Sequence, residues 1–308
     1  MDMKAAILKI LRENDVVVSG EHFSGELGVS RVTVWKHIQA LQSMGYKIIS
    51  TPNGYRIEQS PDILLPWEFP GREESIHHFM ETTSTMDNAR ELARKGCPAF
   101  SVAVAERQKK GRGRLRRLWR SAKGGLYFTV ILRPDLPPSL GFQVNFTASL
   151  SLATILREKY SVEADVKWPN DILVAEKKLV GMLAEMETEA DMIAFLNIGI
   201  GINVNNDPTR SEPMATSMKK LLGRKVDRRE LLSAFLDRFE WTLREESFEA
   251  ILEKWKACTV TIGRRVRVET VTDTIEGLAL DVDEYGSLIV EAADGKQKRV
   301  IYGDCFHT

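Results

Sequence analysis

The sequence predicts an α+β fold built from three consecutive parts. Apolar residues recur at helical spacing near the start, strand-like and helical stretches alternate through the middle, and short strands separated by turns fill the end. With 308 residues, the chain exceeds the usual length of one domain. We therefore expect domains at residues 1–60, 66–260 and 261–308, with a proline- and glycine-containing linker after the first.

The charge balance excludes a protein that attracts its partners through one global field. Lys and Arg together number 43, and so do Asp and Glu, so a polyanion must be met by a local patch. The three cysteines are far apart and odd in number, which favours reduced thiols over a disulfide framework. We see neither a signal peptide nor an apolar run long enough to span a membrane, and expect a cytoplasmic protein without a membrane partner.

Three helices are predicted in the first part. The first covers Lys4 to Arg12 and the second covers Gly20 to Leu27, after which Gly28 supplies a tight turn. Ser30 can cap the third helix. The buried stripe of that helix consists of apolar residues at helical spacing: Val34, Ile38, Leu41 and Met44.

A β-hairpin follows these helices, because Pro52-Asn53-Gly54 separates two β-prone runs. Two helices around a glycine turn, followed by a hairpin, are typical of a winged helix-turn-helix domain that binds DNA. The DNA contacts are expected between Gly20 and Gln39, above all from Ser30, Arg31, Thr33 and Lys36. The local excess of cations is small, so DNA binding should need a dimer or an effector. The alternative is a three-helix interaction module that never touches DNA.

A cationic segment between Gln108 and Trp119 is the most informative stretch. It lies between two strand-like runs, and Gly111 and Gly113 let the backbone approach a ligand closely. Its cations are Lys109, Lys110, Arg112, Arg114, Arg116 and Arg117. Guanidinium groups suit phosphate and carboxylate oxygens. A solvated surface, a localisation signal or a nonspecific nucleic-acid contact remain alternatives.

Downstream, Lys167 is predicted to end a short strand beside a proline turn. The stretches Lys178 to Leu183 and Phe195 to Asn205 read as strands whose glycines allow close approach of a ligand or another backbone. Helical periodicity covers Val144 to Tyr160 and Arg228 to Arg244, which predicts helices packed on one mixed sheet.

The last part reads as a small β-barrel of five short strands. The predicted strands are Val260 to Ile262, Arg265 to Val268, Ile275 to Leu280, Ser287 to Glu291 and Lys298 to Tyr302.

Several motifs occur together in a fixed order along nearly the whole chain. They are Ser84-Thr85, Gln108 with Gly111-Arg112-Gly113-Arg114, Arg117-Leu118-Trp119, Lys167 to Asp171, Lys178 to Gly181, and Gly199 to Asn203. Through them the sequence resembles the biotin–protein ligases, in particular the bifunctional bacterial type that also represses the biotin operon. The resemblance implies a class II synthetase-like central domain and an SH3-like C-terminal barrel.

The resemblance also implies the reaction. Biotin and ATP give biotinyl-5′-AMP and pyrophosphate, and a lysine of a biotin carboxyl carrier protein then takes the biotinyl group. ATP enters as its Mg²⁺ complex and biotin as a substrate, with no tightly bound cofactor or metal. The implied partners are the carrier protein, operator DNA upstream of biotin genes, and a second copy of the chain when biotinyl-AMP is bound. Two alternatives are a ligand-sensing transcription factor without ligase activity and a lipoate ligase.

Residue roles carry over position by position. The catalytic residues implied by the resemblance are Lys167, Arg112 and Arg114. Biotin is expected to contact Ser84, Thr85, Met86, Gln108, Arg112, Gly113, Arg114 and Lys167. The nucleotide is expected to contact Arg114, Arg117, Lys167 and Asn203. The chain departs from the family pattern at Arg116, where glycine is usual, and at Met86, where asparagine is common.

Overall fold

The computed structural model describes all residues except Met1 and Asp15, and it describes Arg116 by its backbone alone. The chain forms two compact units, Met1–Ile63 and Leu64–Thr308. The second unit contains both the central sheet and the C-terminal strands.

The first unit contains three helices and a two-stranded sheet, as the sequence predicts. These elements are α1 (Met3–Glu13), α2 (Gly20–Leu27), α3 (Arg31–Ser43), β1 (Lys47–Thr51) and β2 (Gly54–Gln59). Ser30 caps α3, since its Oγ accepts from the backbone N–H of Thr33 at 3.2 Å. The apolar stripe faces a small core, where Val34, Ile38 and Leu41 are fully buried. The helix-turn-helix prediction is therefore confirmed.

The hairpin differs from its prediction at the turn. Pro52 and Asn53 alone connect the strands, because Gly54 already pairs with Thr51. The backbone of Tyr55 exchanges two 2.9 Å hydrogen bonds with Val18. A Cβ at Gly54, where φ is +139°, would lie 2.0 Å from the Val18 carbonyl oxygen. Glycine is therefore needed at this position by the approach of a neighbouring backbone as well as by its own φ.

The second unit begins with alternating helices and strands. In chain order they are β3 (Ile76–Phe79), α4 (Thr85–Arg94), β4 (Ser101–Ala105), β5 (Gln108–Arg112), β6 (Leu118–Ser121), β7 (Leu126–Leu132), α5 (Phe142–Tyr160), β8 (Asp165–Lys167), β9 (Asp171–Val174), β10 (Lys177–Glu189), β11 (Met192–Ile202), α6 (Met218–Leu222), α7 (Arg228–Glu245) and α8 (Phe248–Ala257). Seven of these strands form one sheet in the order β3-β4-β7-β11-β10-β9-β8. The β3–β4 pair is parallel and the remaining pairs are antiparallel, so the sheet is mixed as predicted.

The two faces of this sheet are covered differently. One face carries large apolar side chains, such as Phe128 and Ile198, that belong to one core cluster with residues of α5, α7 and α8. On the other face, α4 packs through small residues, since Ala89 and Ala93 cluster with Ala103. The remainder of that face is adjoined by the cationic segment, which is itself a two-stranded hairpin of β5 and β6.

One helical segment meets the length and composition of a membrane span, which the sequence analysis did not anticipate. It runs from Pro138 to Tyr160, and 72% of its apolar window is buried inside the protein. Such burial is typical of a core helix.

The C-terminal strands form a second, antiparallel sheet. They are β12 (Arg265–Glu269), β13 (Thr274–Val282), β14 (Leu288–Glu291), β15 (Gln297–Val300) and β16 (Asp304–His307), in the order β15-β14-β13-β12-β16. The strand predicted at Val260 to Ile262 is wrong: this segment is irregular, and the backbone N–H of Val260 donates to Val166 at the edge of the large sheet. The fifth strand is Asp304–His307, which the sequence analysis missed.

Substituting Gly54→Ala should lower the free energy of unfolding of the first unit by about 1–3 kcal/mol, because the new Cβ collides with backbone. Gly25→Ala is the matched control, since Gly25 lies inside α2 and a Cβ there meets nothing within 4 Å. That change should be neutral or stabilising by up to about 1 kcal/mol. Calorimetry together with hydrogen exchange at Val18 and Tyr55 measures both effects; equal behaviour of the two variants would contradict the packing argument.

Candidate active site and recognition helix

The N-terminus of α4 and the start of β5 form a buried polar chain. Ser84 caps α4 and is 1% exposed. The backbone N–H and Oγ1 of Thr85 donate to Oε1 of Gln108 at 2.8 and 3.1 Å, and Nε2 of Gln108 donates to Oγ of Ser121 at 2.8 Å. Thr129 of β7 adds a 2.9 Å hydrogen bond to Thr85. The structure thus brings together three residues predicted to read the polar head of biotin.

Glycines on the neighbouring strands make room for two larger side chains. A Cβ at Gly199 would lie 2.5 Å from Sδ of Met86, and one at Gly201 would lie 2.4 Å from Nε1 of Trp119. Gly181 faces the same indole, with its Cβ position 2.7 Å from the ring. The indole N–H is buried without a hydrogen-bond partner in the described part of the chain. The face of the sheet that carries these glycines is therefore lined by apolar groups, and the indole N–H of Trp119 is available there as a hydrogen-bond donor.

The structure separates the arginines of the cationic segment. Arg112 forms ion pairs with Asp87 at 3.0 Å and with Glu185. Glu185 also pairs with Arg90 of α4 at 2.5 Å. Arg112 is therefore held in a network with α4 and β10.

Arg114 lies on the other side of the hairpin tip. Its guanidinium donates to Oδ1 of Asn170 at 3.2 Å. Arg117 pairs with Asp304 of β16 at 2.7 Å, and Gly113 closes the tip by donating to the Arg117 carbonyl at 2.8 Å. The tip is thereby joined to the C-terminal sheet. The departure at Arg116 lies outside the described side chains.

Lys167 shares this electrostatic neighbourhood. Its charge acts on Cys305 and His307 of β16, and Asp171, its strand partner, acts on both Cys305 and Arg114. Among the described residues, no hydrogen bond or ion pair engages the Lys167 amine. This cation can therefore meet an anion without losing an existing partner.

Burial changes the pKa values of two side chains in this region, Arg114 and Cys305. Desolvation lowers the pKa of Arg114 below its ordinary value, and the charge of Arg117 acts in the same direction, while Asp304 and Asp171 oppose it. The guanidinium stays charged at neutral pH. Desolvation raises the pKa of Cys305 to about 11, so this thiol is neutral and no nucleophile.

The turn after Lys167 is anchored on both sides. The backbone N–H of Trp168 donates to Thr261 at 3.0 Å, and its indole N–H donates to the Gly286 carbonyl at 3.0 Å. Asn145 of α5 donates to the Pro169 carbonyl at 2.6 Å. Because the residues that follow it are anchored, the backbone position of Lys167 is fixed before a ligand arrives.

Asn203, the last predicted nucleotide residue, is 3% exposed at the end of β11. Its Oδ1 accepts from Asn206 at 2.8 Å, and its backbone N–H donates to Leu179 at 3.1 Å. Within the described residues, no contact joins it to Arg114, Arg117 or Lys167. Among the described residues, no three or more His, Cys, Asp or Glu side chains lie close enough together to bind a metal ion.

Sequence reasoning missed the acidic partners of the arginines. Asp87, Glu185 and Asp304 lie on three different elements, and Asp304 follows Arg117 by more than 180 positions. No local spacing connects such residues. The one local signal is the glycine that precedes Asp304. Strand β12 approaches Gly303 closely, so a glycine at this position indicates a neighbouring strand.

Helix α3, the second helix of the helix-turn-helix, exposes both predicted DNA-contact residues and apolar side chains. Arg31, Lys36 and Gln39 are exposed as expected, whereas Ser30 and Thr33 hydrogen-bond to each other at 3.0 Å in the cap. Val32 and Trp35 are 61% and 51% exposed, and neither was singled out from the sequence.

Three segments of this chain match known protein families. Residues 78–205 match the Biotin/lipoate A/B protein ligase family, residues 4–56 match an HTH domain, and residues 261–308 match the Biotin protein ligase C terminal domain. The fold and site thus define a ligase of the biotin/lipoate class that carries a DNA-binding domain.

Relatives narrow this class. The Bifunctional ligase/repressor BirA of Bacillus subtilis is 36% identical over 91% of both chains, and that of Escherichia coli is 28% identical over 89% of this chain and 88% of the other. The biotin protein ligase from Aquifex aeolicus in complex with biotin and ATP has a TM-score of 0.64 and 30% identity, covering 76% of this chain and 99% of that one. The chain belongs to the family of bifunctional biotin–protein ligases and repressors.

We expect Gly201→Ala to cost about 1–3 kcal/mol of unfolding free energy, because its Cβ collides with the Trp119 indole. In a Trp119→Ala background the collision partner is gone, so the same change should cost less than about 1 kcal/mol. Denaturant unfolding of the four proteins in this cycle measures the coupling. If Gly201→Ala lowers the free energy of unfolding equally in both backgrounds, the indole of Trp119 does not pack against this glycine.

Proposed function

We propose that this chain activates biotin and transfers it to a carrier protein. A biotin carboxylate oxygen attacks the α-phosphorus of ATP, the bond to the bridging oxygen breaks, and pyrophosphate leaves with that electron pair. The ε-amine of the carrier lysine then attacks the acyl carbon, loses a proton, and releases AMP. ATP enters as its Mg²⁺ complex, so the metal belongs to the substrate.

The biotin end of the site is supported by the polar chain at α4. The ureido head is neutral and needs donors and acceptors in an otherwise apolar pocket. Ser84, Thr85 and Gln108 supply them, and the unpartnered N–H of Trp119 adds a donor. Met86 contributes an apolar surface in place of an amide.

The phosphate end is supported by the cations around the hairpin tip. Arg114 and Lys167 are placed to neutralise the charge that develops as carboxylate and phosphate meet. Arg117 reaches the phosphates when they replace Asp304, and Asn203 is the further residue that we expect to contact the nucleotide. Arg112 joins the biotinyl carboxyl only after exchanging its ion pairs with Asp87 and Glu185.

One observation carries the proposal: the Lys167 amine, held beside an anchored turn, has no partner among the described residues while charged neighbours surround it. A surface lysine would face solvent, and a structural lysine would be paired. An unpaired cation that shares the neighbour Asp171 with Arg114 is suited to an anionic substrate.

Replacing Lys167 by Ala should lower the kcat of biotin-dependent ATP–pyrophosphate exchange about 100- to 1,000-fold, because one fixed charge is lost in the transition state. Lys177→Ala, an exposed lysine at the start of β10, should leave exchange unchanged. Circular dichroism of both variants controls for folding. Undiminished turnover of the Lys167 variant would refute its role.

The same assay distinguishes the other two functions. Exchange that depends on lipoate instead of biotin would identify a lipoate ligase. No exchange with either acid would identify a ligand-sensing transcription factor.

We also propose that the first unit binds operator DNA upstream of biotin genes, as a homodimer formed when biotinyl-AMP is present. The exposed cations of α3 favour this function. Their small number makes binding by a single copy weak, which links repression to dimer formation.

Lys36→Ala should weaken binding to all DNA sequences alike and reduce the slope of log affinity against log salt by about 1, because one phosphate contact is lost. Lys9→Ala on α1 is the control and should leave the slope unchanged. Gel shifts with and without biotin and ATP give both results. Equal DNA binding in the presence and absence of biotin and ATP would contradict the co-repressor proposal.

A further inference from the structure

The cationic hairpin, Gln108 to Ser121, is held at its base by residues outside the predicted ligand site. Glu106 precedes the hairpin by two residues, and Gly125 follows it by four. Both positions contact one buried side chain, Arg228 at the start of α7. This arginine therefore connects the two ends of the hairpin.

Arg228 joins the two ends of the hairpin through a single nitrogen. Its Nη1 donates to Oε2 of Glu106 at 2.8 Å and to the Gly125 carbonyl at 3.0 Å. Arg228 is 3% exposed and Glu106 is 7% exposed. The other carboxylate oxygen of Glu106 accepts from the backbone N–H of Leu64 at 3.1 Å and lies 3.5 Å from Nε2 of His78. The charge pair is thus dry and enclosed.

The titration of Glu106 agrees with this geometry. Burial alone would raise its pKa, but the nearby His78 side chain and the charge of Arg228 outweigh burial and hold the pKa at about 2. The carboxylate is therefore ionised at any pH at which the enzyme works. The ion pair persists throughout that range.

A second connection ties the same hairpin end to the same helix. The backbone N–H of Asn205 donates to the Gly124 carbonyl at 2.7 Å. Its side chain exchanges hydrogen bonds of 2.8 and 2.9 Å with Val226, two residues before Arg228. The N-terminus of α7 therefore fixes the hairpin base through two independent links.

We propose that Arg228, acting through Glu106 and Gly125, is a positioning residue for the ligase reaction: it fixes the hairpin base so that the tip arginines meet the acyl-adenylate. The proposal rests on the ligase function given above. Arg228 touches no substrate. Without its pair, fewer molecules have a competent hairpin, and apparent biotin affinity falls by the same factor.

Arg229 provides a matched control. It is the next residue of α7, and it also forms two ion pairs, one with Asp227 and one with Glu68 at 2.7 Å. Neither partner belongs to the hairpin base. Loss of Arg229 should therefore lower stability without changing the hairpin.

The test compares Arg228→Met, Arg228→Lys and Arg229→Met in the full chain. For Arg228→Met, we expect trypsin to cleave the native protein within Lys109 to Arg117 about tenfold faster, and the KM for biotin to rise about tenfold while kcat at saturation changes less than threefold. Arg228→Lys should recover most of both effects. Arg229→Met should lower Tm with cleavage and KM unchanged.

The proposal is overturned if Arg228→Met and Arg229→Met differ from wild type only in Tm, or if Lys rescues nothing. If the Met variant fails to fold, Glu106→Gln replaces it, because its amide still accepts from Leu64 while the charge pair is lost; the same cleavage and KM changes are expected. The cleavage comparison needs no substrate. It therefore tests the effect of Arg228 on the hairpin even if the wild-type chain lacks biotin-dependent exchange, a result that would defeat the ligase function and, with it, the catalytic part of the proposal.

Discussion

Repulsion between two anions is the constraint on which this structure depends. A carboxylate cannot approach a triphosphate unless positive charge is already in place, and charge that must first be moved or desolvated gives less stabilisation in the transition state. Lys167 meets this requirement through the anchored turn that follows it. Arg114 meets it through burial at the hairpin tip, beside Asn170.

The cationic hairpin can serve such a reaction because it is supported at three levels. Its base is joined to α7, its middle rests on glycines of β10 and β11 through Trp119, and its tip contacts β16. Each contact uses a different physical effect: a buried ion pair, close packing and a half-exposed salt bridge. In the pair of Arg117 with Asp304 the arginine side chain is 57% exposed and the carboxylate 13% exposed, so Arg117 is the partner that a phosphate can reach from solvent.

Local signals in the sequence predicted the local structure well. Ser30 as a cap and the buried stripe of Val34, Ile38 and Leu41 follow from interactions within one or two turns, which spacing along the chain records. The order of the motifs likewise indicated the family and the mixed sheet. The strand predicted at Val260 to Ile262 is wrong because the backbone of Val260 hydrogen-bonds to Val166 of β8, a contact that depends on the tertiary fold.

The residues of the candidate site were predicted from the sequence. That Arg112 and Arg114 contact different parts of the protein was not. The strand β5 ends at Arg112, and the acidic residues of α4 and β10 hold this arginine apart from Arg114, although only Gly113 lies between the two. Asp304 and Arg228 are distant in sequence and carry no recognisable motif. Their importance follows from contacts between elements, which a pattern along the chain does not contain.

The most direct measurement is a crystal structure of the protein with a non-hydrolysable biotinyl-adenylate analogue. Fixed positive charge predicts the Lys167 amine and the Arg114 guanidinium within about 3 Å of oxygens at the acyl-phosphate centre, at charge-assisted hydrogen-bond distance. A hairpin tip directed into solvent, with Lys167 unpaired beside the bound analogue, would contradict the account.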